Sequence, residues 1–285
     1  MLEPIRFEKD LLETHLDRIK QDRPFGHFRL EAVDSLIGGL RRGRLVILSA
    51  EPATGKTTLI GQLADETASQ GFVAVIATQE SSPSQWLAKS LARISEGTLR
   101  VSDIADESRT ADVAKAAETY RLTMAPSIVF LEQPMTAIEL SAAIAKLQTM
   151  TAREMILFYD YLQIMPSACE SSIMDERLAV KEAVSGLRRI ANVYDIPVFA
   201  ISSINRTNYG KSNPDLGALG GTAAIEYSAD CVLHLSMEGK GDERLANMEL
   251  PVRPLVLTTL KNRYAAKGTA KLSFDTAHAT FTERA

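Results

Sequence analysis

Short apolar runs dominate the pattern of the chain from residue 44 onward. They are "LVILSA" (45–50), "FVAVIAT" (72–78), "SIVFLE" (127–132), "MILFYD" (155–160), "PVFAIS" (197–202), "DCVLHLS" (230–236) and "PLVLTTL" (254–260). Continuous apolar runs, in place of strict alternation, are typical of strands that are buried on both faces of a parallel sheet. The pattern therefore predicts a buried, mostly parallel sheet.

Helical patterns lie between most of these runs. They cover residues 57–70, 83–95, 137–149 and 173–194. Ser82 followed by Pro83 predicts one helix start, and Thr136 with Glu139 forms a capping box at another. Alternating strands and helices predict a doubly wound α/β domain with a twisted sheet and helices on both faces. The tail "KGTAKLSFDTAHATFTE" alternates and predicts an antiparallel hairpin at the sheet edge.

The first residues form a separate pattern. Ile5, Leu12, Leu16 and Ile19 have helical spacing, with charged residues between them, and "QDRPFG" ends the segment. This predicts an amphipathic helix over 5–20. Its apolar side can pack on its own domain or on a neighbouring subunit, and the pattern favours neither. We expect an N-terminal helical extension at 1–24 and one domain at 25–285.

Composition narrows the class of protein. The apolar content of 45% and charged content of 24% are ordinary for a globular protein, and the net charge is −4. Any surface that binds nucleic acid must therefore be a local basic patch. The two cysteines, Cys169 and Cys231, and four scattered histidines show no disulfide or metal-ligand spacing. With no apolar run of membrane length and no signal-peptide pattern, we expect a cytoplasmic protein without a membrane partner.

The chemistry-bearing stretch is "SAEPATGKTT", residues 49–58. It matches the phosphate-binding loop G-x-x-x-x-G-K-[ST], the P-loop, except that Ala50 replaces the first glycine. Gly55 lets the backbone approach phosphates, Lys56 reaches the β- and γ-phosphates, and the Thr57 hydroxyl is a ligand for Mg²⁺. We therefore predict ATP and Mg²⁺ as ligands. The nucleotide-binding residues expected here are Ala50, Glu51, Pro52, Ala53, Thr54, Gly55, Lys56, Thr57 and Thr58.

Two carboxylates end neighbouring apolar runs. Asp160 closes "MILFYD" and is the candidate residue for holding Mg²⁺, partly through water; an aspartate after an apolar run is also common without such a role. Glu80 follows "FVAVIATQ" at the edge where the ligand crevice of an α/β sheet lies. It is the candidate for orienting or deprotonating water. Its other interpretation is a helix-capping acid before "SSPSQW".

Six segments in order resemble the C-terminal, RecA-like motor domain of DnaB-type hexameric replicative helicases, over about residues 25–283. They are "SLIGGLRRGRLVILSAEPATGKTT", "IATQES", "ILFYDYLQIM", "GLRRIANVYDIPVFAISSINR", "AAIEYSADCVLHL" and "LKNRYAAKGTAKLSF". The resemblance implies a RecA-like P-loop NTPase fold, ATP hydrolysis and a hexameric ring with active sites shared between subunits. It also implies a loader or other replication protein as partner.

The resemblance gives roles to two further residues. Lys261 and Arg263 match the family's late Lys-x-Arg segment, which implies that they act on the neighbour's nucleotide, Arg263 as an arginine finger. Without the resemblance, an ordinary solvated strand end is the favoured explanation of this pair.

The chain also departs from the family. Ser203 stands where the family usually carries a glutamine that contacts the γ-phosphate, and serine is too short for that reach. We expect only a helix before the motor, in a place like that of the family's linker helix, and no primase-binding domain. The glycines of "LGALGGTA" look more like RecA or KaiC relatives.

The family's DNA-binding loops correspond to about 165–176 and 206–221. The first carries acids and no lysine or arginine, whereas the second offers Arg206 and Lys211 for phosphates and Tyr209 for base stacking. Two hypotheses follow: a helicase or translocase on single-stranded DNA, or a RecA/KaiC-type regulatory or scaffolding ATPase that controls a protein partner. A small-molecule kinase is a third alternative, for which no second substrate segment is visible.

Overall fold

The computed structural model describes residues 11–167, 176–204 and 222–284. Its helices are α1 (Leu12–Gln21), α2 (Glu31–Ile37), α3 (Lys56–Ser69), α4 (Pro83–Ile94), α5 (Thr110–Thr123), α6 (Ala137–Met150), α7 (Glu176–Tyr194), α8 (Thr222–Ser228) and α9 (Gly241–Glu249). Its strands are β1 (Leu45–Ala50), β2 (Val73–Thr78), β3 (Ile128–Leu131), β4 (Met155–Asp160), β5 (Val198–Ser203), β6 (Cys231–Met237), β7 (Val252–Asn262), β8 (Thr269–Asp275) and β9 (Thr280–Arg284).

The strands form one sheet in the described part of the chain, in the order β3-β2-β4-β5-β1-β6-β7-β8-β9. The first six strands of that order run parallel, and β7, β8 and β9 continue the sheet antiparallel. The order places β1 in the middle, between β5 and β6. In an open parallel sheet, ligands bind beyond the carboxyl ends of the strands, which directs attention to the residues after β1, β2, β4 and β5.

All seven apolar runs are strands, and the tail forms the expected hairpin, β8–β9, at the sheet edge. One prediction needs a correction. The sequence pattern groups the run at 254–260 with the parallel, doubly buried strands, but β7 pairs antiparallel with β6 and is only alternately buried. Its alternation is hidden in the sequence because the less buried positions also carry apolar or threonine side chains, at Val256, Thr258 and Leu260.

The four helices predicted after residue 50 are present with small shifts at their ends, and both predicted helix starts are correct. Ser82 and Gln85 form a capping box on α4, and Thr136 and Glu139 form one on α6. The pattern missed α2, α5, α8 and α9. Helix α5 was hidden because its small residues give a weak apolar stripe, with Ala116 as its buried position. At the start of the chain, α1 covers Leu12–Gln21, which overlaps the helix predicted at 5–20; residues 5–10 of that prediction lie outside the described residues.

Each face of the sheet has its own apolar core. Leu45 and Ile47 of β1 face the side covered by α6 and α7, and Val46 and Leu48 face the side covered by α3. This alternation explains why both sets of β1 positions are apolar: a strand between two helical layers has no solvent face. The described part of the chain contains no helix with the length and apolar character needed to cross a membrane.

Candidate active site

The P-loop connects the end of β1 to the start of α3. Ala50 is the last residue of β1 and pairs with Ser203 on β5 and Leu235 on β6. Its backbone is therefore extended, a conformation that alanine adopts without strain. Gly55, immediately before α3, has φ +90°, in the left-handed region that favours glycine. The first glycine of the usual motif is dispensable in this chain, whereas Gly55 is required.

Packing beneath the loop gives a second reason for Gly55. A Cβ at this position would lie 2.9 Å from ring carbons of both Phe274 and Phe281. These two rings are stacked, with centroids 4.4 Å apart, and they belong to β8 and β9. The antiparallel hairpin therefore forms the floor of the P-loop.

Within the loop, the carbonyl oxygen of Glu51 accepts two hydrogen bonds. One comes from the Lys56 Nζ at 3.0 Å and the other from the Thr54 hydroxyl at 2.7 Å. Burial lowers the pKa of Lys56, and the carboxylates of Glu80, Asp160 and Glu51 oppose that shift. The ammonium is held inside the loop by a neutral carbonyl, from which it can turn to a phosphate.

Asp160, at the end of β4, meets the P-loop helix. The Thr57 hydroxyl donates a hydrogen bond of 2.9 Å to Asp160 Oδ2. Asp160 is buried, and burial raises its pKa to about 6, while the bond from Thr57 lowers it and nearby Glu80 raises it further. Its other oxygen, Oδ1, is buried without a hydrogen-bond partner among the described residues.

An unpartnered carboxylate oxygen beside a threonine hydroxyl fits a magnesium ion held partly through water. No group of three or more His, Cys, Asp or Glu side chains that could hold a metal gathers within the described ranges. Magnesium retains waters and is usually bound by one or two protein ligands plus substrate phosphates. Thr57 and Asp160 therefore fit an ion that arrives with a nucleotide.

Glu80 faces the same cleft. Strand β2 lies beside β4, and Thr78, the last residue of β2, pairs with Asp160. Glu80 comes two residues after Thr78, and its side chain is exposed. The cleft has a volume of about 480 Å³. It is lined by Pro52, Ala53, Gly55, Lys56, Thr57, Thr58, Glu80, Tyr161, Gln163 and Ser203. An exposed carboxylate that lines this cleft can reach a water molecule.

The structure adds Lys89, which the sequence pattern did not single out. Burial lowers the pKa of Lys89, Arg93 lowers it further, and the carboxylates of Asp160 and Glu80 oppose the shift. Lys89 therefore lies on α4 within electrostatic range of the candidate magnesium ligand Asp160 and the candidate catalytic residue Glu80. A signal was present in the sequence: Lys89 follows Trp86 by three residues, which places it next to the buried side of its helix.

Ser203 lies in the cleft and is bound to a glutamine from another strand end. Gln163, in a short 3₁₀ turn after β4, accepts a hydrogen bond of 3.3 Å from the Ser203 backbone N–H. Its amide nitrogen donates to the Ser202 hydroxyl at 3.1 Å. The ends of β4 and β5 are thus joined at the cleft by Gln163.

A buried histidine lies beneath the P-loop strand. His234 Nδ1 is 3.1 Å from the Ser49 hydroxyl, which donates to the carbonyl of Leu233. Burial lowers the pKa of His234 to about 4, and the Lys56 charge adds to this effect. The ring is therefore neutral at physiological pH and serves to pack β6 against β1.

Lys261 and Arg263 lie near the start of β1, at the opposite end of the parallel strands from the P-loop. The Arg263 N–H donates to the carbonyl of Asp230, whose own N–H donates to the carbonyl of Leu45, so Arg263 is level with the first residue of β1. The P-loop begins after the last residue of β1, five residue steps or about 17 Å further on. Lys261 Nζ binds the carbonyl of Ala229 at 2.7 Å, after the end of α8. The fold keeps this pair away from the P-loop of its own chain.

The remaining candidates cannot be placed. Arg206, Tyr209 and Lys211 lie outside the described residues, as do the rest of 206–221 and part of 165–176. Their assignment as DNA contacts stays a prediction.

A P-loop after the central strand, a strand-end aspartate bonded to its threonine and an antiparallel extension define a RecA-like P-loop NTPase. The family model described as "DnaB-like helicase C terminal domain" matches residues 27–283. The chain belongs to this family, as the sequence segments indicated.

Curated relatives agree. The chain is 24% identical to the replicative DNA helicase DnaB of Helicobacter pylori over 248 residues, which cover 82% of this chain and 49% of that protein. It is 27% identical to DnaB of Leifsonia xyli, over 89% of this chain and 54% of that protein. The chain thus spans about half the length of the curated relatives it matches.

Two solved structures share the fold. One, described as an ATPase domain, matches with a TM-score of 0.83 at 16% identity, covering 99% of this chain and 100% of that one. A DnaB-like replicative helicase, solved in a study of its interactions with primase, matches with a TM-score of 0.79 at 16% identity, covering 98% of this chain and 67% of that one. Both matches also cover the antiparallel strands β7, β8 and β9.

Proposed function

We propose that this chain is an ATP-hydrolysing motor domain that assembles into a hexameric ring and acts as a helicase or translocase on single-stranded DNA. The observation that carries the proposal is the division of the catalytic groups between the two ends of the parallel strands. Lys56, Thr57 and Glu80 line one cleft and Asp160 is bonded to Thr57, whereas the Arg263 backbone lies about 17 Å away along β1. A complete site then needs the cleft of one subunit and the arginine of the next.

In the proposed reaction the P-loop backbone and Lys56 bind the phosphates, and the Thr57 hydroxyl and Asp160 hold the magnesium ion. Magnesium supplies positive charge that offsets the charge developing on the transferred phosphoryl group. Glu80 orients the attacking water and accepts its proton. Arg263 of a neighbouring subunit, with Lys261, stabilises the same developing charge.

The DNA part of the proposal depends on segment 206–221. Arg206 and Lys211 supply two cations per subunit, or twelve in a hexamer, and Tyr209 offers a ring for stacking. A replication loader as partner and a cytoplasmic location complete the proposal. The two domain limits, 1–24 for the extension and 25–285 for the motor, belong to it as well.

The test is the steady-state ATPase rate with and without single-stranded DNA, at low and moderate salt, alongside Lys56→Ala. We expect DNA to stimulate the rate in a salt-sensitive manner, since phosphate contacts release counterions. Sedimentation with and without Mg-ATP measures ring assembly. A Lys56→Ala variant with the affinity and rate of the original protein would contradict the assignment of the loop.

One observation favours a second function. Ser203 is the last residue of β5 and lines the cleft. Its backbone N–H donates a hydrogen bond to Gln163, in the turn after β4. A serine cannot relay the state of the γ-phosphate as a longer amide can. If the ATPase rate is indifferent to DNA, a regulatory ATPase that controls a protein partner replaces the helicase.

A further inference from the structure

The P-loop carries a negative charge of its own. Glu51, its second residue, is buried, and its carboxylate lies close enough to Lys56 to oppose the lowering of that lysine's pKa. A buried carboxylate beside a phosphate site repels the ligand unless a cation neutralises it. Lys56 is the cation of the loop itself, so the segment 50–58 has no net charge, and a lysine that compensates Glu51 is less available to a phosphate.

A second cation comes from the connection between β6 and β7, to which the sequence pattern gives no role. Arg244 of α9 forms an ion pair with the Glu51 carboxylate, and the Arg244 and Glu51 side chains are only 14% and 8% exposed. A pair this buried is weakly screened by salt, and removal of Arg244 takes a compensating charge away from a buried carboxylate.

The same connection holds the loop at a second point. Arg253, at the start of β7, donates a hydrogen bond of 3.1 Å to the carbonyl of Ala53, which has φ +62°. The connection is in turn fixed to the edge of the sheet, because Glu238 after β6 pairs with Arg284 on β9. Asn247 of α9 donates to the Glu238 carbonyl at 3.0 Å. Arg244 therefore approaches the loop from an anchored helix.

We propose that Arg244 is a positioning residue for the nucleotide: it pairs with Glu51, so that the charge of Lys56 is left for the phosphates. This inference rests on the proposed nucleotide site. It gives α9 a function and explains how the loop accommodates an acidic residue at its second position.

The test is the Kd for a fluorescent Mg-ATP analogue at low ionic strength. Arg244→Ala should weaken binding about tenfold or more, because Glu51 is left charged and buried. The double variant Glu51→Gln/Arg244→Ala should bind clearly more tightly than Arg244→Ala alone, since the carboxylate that Arg244 pairs with is gone. Lys240→Ala removes the same charge from the exposed start of α9 and should have no effect.

A purely structural role for Arg244 predicts a different result, with the double variant as weak as Arg244→Ala. That result, or an Arg244→Ala variant that binds normally, would overturn the inference. Should Arg244→Ala fail to fold, the charge-retaining Arg244→Lys and the uncharged Arg244→Gln decide: the lysine variant should bind nucleotide more tightly than the glutamine variant, and equal Kd values contradict the neutralisation.

Failure of the two proposals can be told apart. If the original protein binds no nucleotide, or binds it independently of Lys56, the proposed function fails and this inference fails with it. If binding depends on Lys56 but not on Arg244, this inference alone is wrong.

Discussion

Asp160→Asn should separate the stability of this fold from its activity. Burial raises the pKa of Asp160 from 3.8 to about 6, so the folded chain holds this proton more tightly than the unfolded chain. The free energy of unfolding therefore falls as the pH rises from about 4 to about 6. Above both pKa values the cost of ionising Asp160 in the fold is about 3 kcal/mol.

The asparagine variant lacks this ionisation but introduces a buried amide with its own cost. That cost is independent of pH, so a comparison at two pH values removes it. Between pH 5 and pH 8 the free energy of unfolding of the variant, relative to the original protein, should rise by about 1.4 kcal/mol. For a chain of this length the matching change in relative Tm is about 2 °C.

The assay is thermal and denaturant unfolding in EDTA without nucleotide, at both pH values. Glu132→Gln, the same chemical change at an exposed carboxylate, is the matched control. In parallel, Asp160→Asn should lose magnesium-dependent ATP hydrolysis. A stability difference of equal size at the two pH values would refute the reasoning, because it would mean that the fold does not disfavour ionised Asp160.

Three further changes test the site. Gly55→Ala should lower the free energy of unfolding by about 2 kcal/mol or more, measured in urea, because it combines a positive φ with contact against Phe274; unchanged stability would contradict the described floor of the loop. Lys89→Met should reduce kcat/KM about tenfold or more, since it removes a cation within electrostatic range of Asp160 and Glu80; a rate equal to that of the original protein would contradict this role. Arg263→Ala should retain nucleotide binding but hydrolyse about 10³-fold more slowly. Mixing it with Glu80→Gln subunits should restore some hydrolysis, and failure of every such mixture would contradict shared sites.

The sequence by itself determined the strands and most of the longer helices. A buried strand between two helical layers must be apolar on both faces, so the run "LVILSA" identifies β1 without any tertiary information. Helix caps are local as well, which is why Ser82 followed by Pro83, and Thr136 with Glu139, marked the starts of α4 and α6 correctly. The P-loop and its strand–helix context were readable for the same reason: the motif is contiguous.

Tertiary structure decided which distant residues meet. The bond from Thr57 to Asp160 joins positions 103 residues apart, and it exists because β4 and β1 lie on either side of β5. Lys89 and Arg244 were missed because a solvated lysine or arginine on a helix has the same local pattern as one turned toward a carboxylate. Neither the Phe274–Phe281 floor under Gly55 nor the separation of Arg263 from its own P-loop follows from local spacing. Local periodicity specifies an element, whereas burial, pKa and the division of a site between subunits depend on how the elements pack.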